Sequence, residues 1–208
     1  MINNFNEKLD LMIPDPRCEL NYNRDYELLI AVVLSAQCTD KRVNIVTSDL
    51  FSKYDIYGLA KADVKDIENI IHSCGSYTKK AIYIIKMAKS LIENYNGVVP
   101  NDREYLESLP GVGHKTANVV LSHLFDVPAI AVDTHVERVT KRLKLVNKSD
   151  NVLTIEKKLM RKVPKELWSR THYQLVLFGR YICTAKKPNC KDCLFYNECH
   201  CKEKRMDF

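Results

Sequence analysis

Apolar residues recur along this chain at helical spacing. Nowhere do they keep the two-residue alternation of a half-buried strand or repeat at a longer fixed period. An all-α fold is therefore expected. Asp25 can cap the run Leu28-Leu29-Ile30-Ala31-Val32-Val33-Leu34, a helix buried on most sides. Thr39 or Asp40 can open a helix with Val43, Val46 and Leu50 on one face, and a short segment around Ile56 and Leu59 follows. Asp63 can cap a helix striped by Ile67, Ile70, Ile71 and Cys74, with Gly75 in place to end it. From Thr78, the positions Ala81, Ile84, Ile85, Ala88, Ile92 and Tyr95 form a clean amphipathic stripe, stopped by Asn96-Gly97 and Pro100. Asn101 can cap a short helix through Leu106, and another runs from near His114 to about Phe125. Thr134 and Glu137 fit a capping box, Asp150 can cap a helix carrying Ile155, Leu159 and Val163, and a last long helix carries Trp168, His172, Leu175 and Gly179 into Cys183. No low-complexity linker separates these elements, so two domains, if present, share a tight junction.

Composition narrows the setting. With 208 residues and 46% hydrophobic content the chain can form one domain or two small ones. No stretch approaches the roughly 20 apolar residues of a membrane span, and Met1-Ile2-Asn3-Asn4-Phe5 lacks a basic segment leading into an apolar one. A cytoplasmic protein with no membrane partner is expected. Lys and Arg outnumber Asp and Glu by 32 to 26, a net charge of +6 that suits a polyanionic partner without proving one.

The segment Leu109-Pro110-Gly111-Val112-Gly113-His114-Lys115-Thr116-Ala117-Asn118 gives that partner a grip. Pro110 cannot continue a helix, and two glycines around one valine let the chain turn and present N–H groups just before a new helix, an arrangement that binds phosphate. Lys115 sits in the first turn of that helix, and Val132-Asp133-Thr134-His135 follows downstream. The helix, about eleven residues at about 1.5 Å each, carries the chain roughly 16 Å from Lys115. Roughly nine more residues at up to about 3.3 Å apiece can return, so a shared cleft is geometrically allowed. A lysine with an accessible neutral amine is a nucleophile suited to Schiff-base chemistry, and a carboxylate can take up its proton or stabilise positive charge on a sugar. An aspartate before a helix is most often a cap. Here Thr134 with Glu137 offers a cap of its own, which frees Asp133 for chemistry.

Five of the eight cysteines crowd the last part of the chain. Cys183, Cys190, Cys193 and Cys199 are spaced C-x6-C-x2-C-x5-C, and four thiolates so close can wrap one metal centre. Only Cys190 and Cys193 make a close pair, whereas structural zinc sites usually show two, which favours an iron–sulfur cluster in a structural role. Cys201 is then a bystander. Lys186, Lys187 and Lys191 decorate the loop, where metal-held backbone would present them rigidly to phosphate.

Taken together, Leu34-Ser35-Ala36-Gln37 with Thr39-Asp40, the Leu109 to Val120 block, Ala131 to His135, Gly179-Arg180-Tyr181 and the four-cysteine spacing closely resemble the endonuclease III family. Its members are iron–sulfur DNA glycosylases and abasic-site lyases of the helix-hairpin-helix superfamily. The resemblance covers nearly the whole chain. It implies a six-helix barrel domain over residues 22–132, with the helix-hairpin-helix at about 102–125. A second helical domain would join residues 1–21 to 133–208, with a [4Fe-4S] cluster in loop 183–199 and DNA in the groove between domains. Lys115 would attack C1′ of a flipped-out damaged nucleotide with Asp133 assisting, and β-elimination would cut the strand 3′ to the lesion. Oxidised pyrimidines and abasic sites in double-stranded DNA are the implied substrates of a monomeric, nucleoid-associated protein. The implied DNA contacts are Gln37, which fills the space left by the base, the turn residues Gly111, Val112 and Gly113, His135, and Lys186, Lys187 and Lys191. One departure stands out: where the family commonly carries a bulky apolar wedge between glycine and tyrosine, Gly75-Ser76-Tyr77 offers serine. Two alternatives compete. A monofunctional mismatch glycosylase of the same superfamily has no use for Lys115, and a non-catalytic, zinc-stabilised DNA-binding module would use the hairpin only for phosphate.

Overall fold

The computed structural model describes residues 4–202 and Lys204, and within them every regular element is helical. The expectation drawn from Met1-Ile2-Asn3 falls outside the described residues. Among those described, no helix is long and apolar enough to cross a membrane.

The chain forms two compact units, Glu19–Phe125 on the one hand and Met1–Cys18 with Asp126–Phe208 on the other. The first is organised around α2 (Asp25–Ser35), in which every residue from Tyr26 to Leu34 is buried. An α-helix apolar on all sides must be surrounded. Here α3 (Asp40–Lys53), α6 (Tyr77–Tyr95) and α8 (His114–Phe125) pack against it. The long α6 also covers α4 (Ile56–Lys61) and α5 (Val64–Ile71), and α7 (Arg103–Ser108) pairs with α8 as a helical hairpin.

Lys80 interrupts the buried stripe of α6. It is only 5% exposed and lies in phase with Ile84, Met87 and Leu91, and its Nζ donates to the carbonyls of Leu34 at 3.0 Å and Ala36 at 2.5 Å. The ammonium thus satisfies the carbonyl end of α2, where intrahelical donors run out. Burial pushes its pKa below the ordinary lysine value.

In the second unit, α1 (Phe5–Met12), α9 (Thr134–Arg142), α10 (Val152–Lys162) and α11 (Trp168–Leu177) enclose a core of Leu9, Val136, Val139, Ile155, Leu159, Leu175, Phe178 and Phe195. The final helix does not run on to Cys183 as one α-helix. It widens into a π-helical turn over Phe178–Ile182. Phe195, from the cysteine-rich loop, is fully buried with its ring 5.7 Å from that of Phe5 and 5.6 Å from that of Phe178, so the loop is plugged into the core by one aromatic side chain.

Three expected N-caps are displaced by one residue. Asp25 does not cap α2. It accepts from the Val99 N–H at 2.6 Å, while Glu27 reaches back to the N–H groups of Asn23 and Arg24. The caps of α7 and α10 are Asp102 and Asn151 rather than Asn101 and Asp150; they accept from Tyr105 N at 3.0 Å and Thr154 N at 2.9 Å. Gly75 lies four residues beyond α5 with no left-handed φ, and the left-handed residue is Ser76, with φ 57°. Asp102→Ala is expected to cost about 1 kcal/mol or more by orphaning an N–H group, and Asn101→Ala less than about 0.5 kcal/mol. Urea-unfolding midpoints of the two variants check this ordering.

Candidate active site and cysteine centre

The turn between α7 and α8 depends on Gly111. Its φ is +82°, and a Cβ there would lie 2.6 Å from Cδ2 of Tyr83 on α6, so neither the conformation nor the space admits a side chain. Leu109 and Val112 are buried beneath the turn, and the Val112 N–H donates to the Leu109 carbonyl at 3.1 Å. Gly111 and Gly113 are exposed, and a Cβ at Gly113 would meet nothing within 4 Å. The space beside Gly113, just before α8, is therefore open, and helix geometry leaves the first N–H groups of α8 without intrahelical acceptors.

Lys115 stands exposed on the first turn of α8. Beside it His114 bonds Asn118 at 3.3 Å and approaches Glu107 of α7 at 3.4 Å, which ties the two helices of the hairpin together.

At the start of α9 the expectation fails in an informative way. Thr134 is not the cap; Asp133 is, and its Oδ1 accepts from both His135 N at 2.9 Å and Val136 N at 2.8 Å. Glu137 pairs with Lys141 instead of closing a capping box. Both cap bonds fall on one oxygen, so the cap fixes the carboxylate without engaging Oδ2. His135 is half-buried against Gly179, where a Cβ would come within 2.9 Å of the His135 Cβ, and its Nδ1 lies 3.2 Å from Nη2 of Arg138.

Gln37 is exposed in the turn after α2, with φ 58°. Gly75 is pressed against it: an added Cβ would lie 3.1 Å from the Gln37 carbonyl oxygen and 3.2 Å from its Cβ. Ser76 and Tyr77 follow, both exposed at the start of α6.

Cys183, Cys190, Cys193 and Cys199 line one largely apolar cavity together with Phe178, Ile182 and Tyr196, and Cys201 lines it too. All are free thiols. Burial pushes Cys183 upward and Cys193 up to about 11, and neighbouring thiols add to both effects. Two arginines of α9 oppose the shift at Cys183. Arg142 donates to Cys183 Sγ at 3.4 Å and to the carbonyls of Thr184 and Ala185 at 2.7 and 2.9 Å. Arg138 donates to the carbonyls of Cys183 at 3.1 Å and Gly179 at 2.6 Å, and its own burial lowers its pKa. Among the described residues, no three His, Cys, Asp or Glu side chains converge closely enough to hold a single metal ion. Lys186, Lys187 and Lys191 are exposed on the same loop.

Residues 30–165 match the HhH-GPD superfamily of base excision DNA repair proteins. Endonuclease III of Bacillus subtilis (strain 168) is 51% identical over 200 residues, covering 96% of this chain and 91% of its own. The chain belongs to the endonuclease III family. Endonuclease III of Escherichia coli (strain K12) is 45% identical over 92% of this chain and 90% of its own. A solved structure of a trapped endonuclease III–DNA covalent intermediate matches with a TM-score of 0.90 at 51% identity, covering 95% of this chain and 92% of that one.

Three side chains of this endonuclease III family member escaped the sequence reading. Lys80, Arg138 and Arg142 each hold a candidate site from behind. A faint signal existed for each: a lysine in phase with an apolar stripe, and two arginines four apart on the helix that opens with Asp133. Gly111→Ala is expected to lower stability by about 1–2 kcal/mol from backbone conformation alone, with the Tyr83 contact adding to it. Gly113→Ala, with open space and an ordinary φ, should unfold close to the parent. Thermal melts of the pair test whether the turn is built around the first glycine.

Proposed function

We propose that the protein excises oxidised pyrimidines from double-stranded DNA and cuts the strand at abasic sites, with Lys115 as nucleophile and Asp133 as the assisting carboxylate. The supporting observation is an exposed amine on the first turn of a helix, directly after a glycine turn open to phosphate, in a chain half-identical to endonuclease III. The turn would grip the backbone through its N–H groups, and the +6 charge favours approach to DNA.

The neutral amine of Lys115 attacks C1′, and the bond from C1′ to the base breaks with its electrons leaving on the base. The sugar opens to an iminium joining C1′ to Nζ. Loss of a C2′ proton then expels the 3′ phosphate by β-elimination. Asp133 Oδ2 is the oxygen suited to receive the lysine proton or balance charge on the sugar, because Oδ1 is committed to the helix. Gln37 is read as filling the space of the extruded base, His135 and Lys186, Lys187 and Lys191 as further DNA contacts.

The four cysteines Cys183, Cys190, Cys193 and Cys199 are read as the ligands of a [4Fe-4S] cluster. A centre that takes thiolates offsets the burial and the neighbouring thiols that hold Cys183 and Cys193 up. The four sulfurs line one cavity, and their spacing, with Cys190 and Cys193 the one close pair among the four, favours an iron–sulfur cluster over a structural zinc ion. Its role is to hold the loop, and no step of the reaction passes through it. A nucleoid-associated location in the cytoplasm follows from this activity.

Borohydride reduces a Schiff base to a stable amine, so it should trap the protein covalently on abasic-site duplex. Lys115→Ala should trap none. Equal trapping by that variant would move the nucleophile elsewhere.

A further inference from the structure

Cys38 and Cys74 lie outside the cysteine-rich loop and far apart in sequence, yet their sulfurs stand 3.5 Å apart. Cys38, half-buried, follows Gln37 in the turn that ends α2, and Cys74, buried, precedes Gly75 in the turn that leads to α6. These two turns pack closely: a Cβ added at Gly75 would lie 3.1 Å from the Gln37 carbonyl oxygen. Each also carries a non-glycine residue in the left-handed region, Gln37 at φ 58° and Ser76 at φ 57°.

The surroundings hold the pair in place and tune it. Lys80 anchors the carbonyls of Leu34 and Ala36, immediately before Gln37 and Cys38, so the segment is fixed from below. Burial pushes the Cys74 thiol up to about 12, while the Lys80 ammonium and the Arg42 guanidinium both favour its thiolate. A disulfide needs the sulfurs to close to about 2.05 Å, a small movement from their present separation. Chain entropy also favours closure between residues already brought together by the fold.

We propose that Cys38 and Cys74 are a redox modification site that closes to a reversible disulfide, tying the Gln37 turn to the Gly75-Ser76 turn. The co-reactant is a low-molecular-weight disulfide. Cys38, the more accessible thiol, attacks as thiolate; a bond forms to one sulfur of the small disulfide and its sulfur–sulfur bond breaks, releasing one small thiolate. Cys74 then attacks the Cys38 sulfur and releases the second. The protein loses two electrons and the small disulfide gains them, and the two cysteine protons end on the two small thiols. The effect on DNA rests on the reading of Gln37 as the residue that enters the space of the extruded base: a tied turn can no longer adjust to the duplex.

The full chain is incubated with oxidised glutathione, alkylated, and mapped by mass spectrometry, and in parallel its affinity for a duplex carrying a tetrahydrofuran abasic analogue is measured by fluorescence anisotropy. The expected product is a peptide pair joined through Cys38 and Cys74, lighter by two hydrogens, released by dithiothreitol and absent from Cys38→Ser and Cys74→Ser. Affinity should fall several-fold on oxidation, return on reduction, and stay constant in both serine variants, which retain the four-cysteine loop and so control for damage there. Glutathione that remains on Cys38 without passing to Cys74, or two thiols that stay free, would overturn the proposal. A disulfide that forms and leaves affinity unchanged would keep the modification site and remove the Gln37 turn from the DNA reading.

Discussion

An α-helix leaves its first N–H groups and last carbonyls without partners, and a chain built wholly of helices meets this constraint at every element. In this protein the candidate chemistry stands at those ends. Asp133 completes the start of α9, and the turn before α8 exposes the start of that helix beside Lys115. The carbonyl end of α2, from which Gln37 turns away, is completed by the buried ammonium of Lys80. Satisfying a helix end fixes a side chain in direction as well as energy, which is what a positioned catalytic group requires.

Asp133 carries this furthest. A cap is worth about 0.5–2 kcal/mol, enough to hold the carboxylate in one orientation with Oδ1 on two N–H groups and Oδ2 uncommitted to them. Structural and chemical roles need not compete when each takes its own oxygen. The cysteine loop uses a related device. Arg138 and Arg142 of α9 hold the backbone at Cys183 to Ala185, and Phe195 anchors the far side in the core. The loop is thereby fastened on one side to the helix capped by Asp133 and on the other to the core of the same unit.

Much of this was legible in the sequence, and the limits were physical. Helix existence followed from stripes such as Ala81, Ile84, Ile85 and Ala88, because burial imposes the period. Neighbouring cap candidates were not separable: at Asn101-Asp102, Asp150-Asn151 and Asp133-Thr134 either residue has the right chemistry, and only the approach of one oxygen to particular N–H groups decides. The misplacement mattered most at Asp133, whose expected freedom rested on a cap that Thr134 does not form. Lys80 was hidden for a different reason, since a lysine among apolar residues has no partner visible nearby in sequence; its carbonyls come from another helix. The pairing of Cys38 with Cys74 is likewise a product of two turns meeting, which local pattern does not encode.

If Asp133 divides its two oxygens between a helix cap and the reacting sugar, Asp133→Asn separates the two roles. The asparagine carbonyl can accept the same two N–H bonds, so the unfolding midpoint should stay near that of the parent. The single-turnover rate of base excision should nevertheless fall by about a hundredfold or more, the range expected when a general acid–base group is removed. A variant that keeps the parent rate would contradict the claim and leave Asp133 as a cap alone.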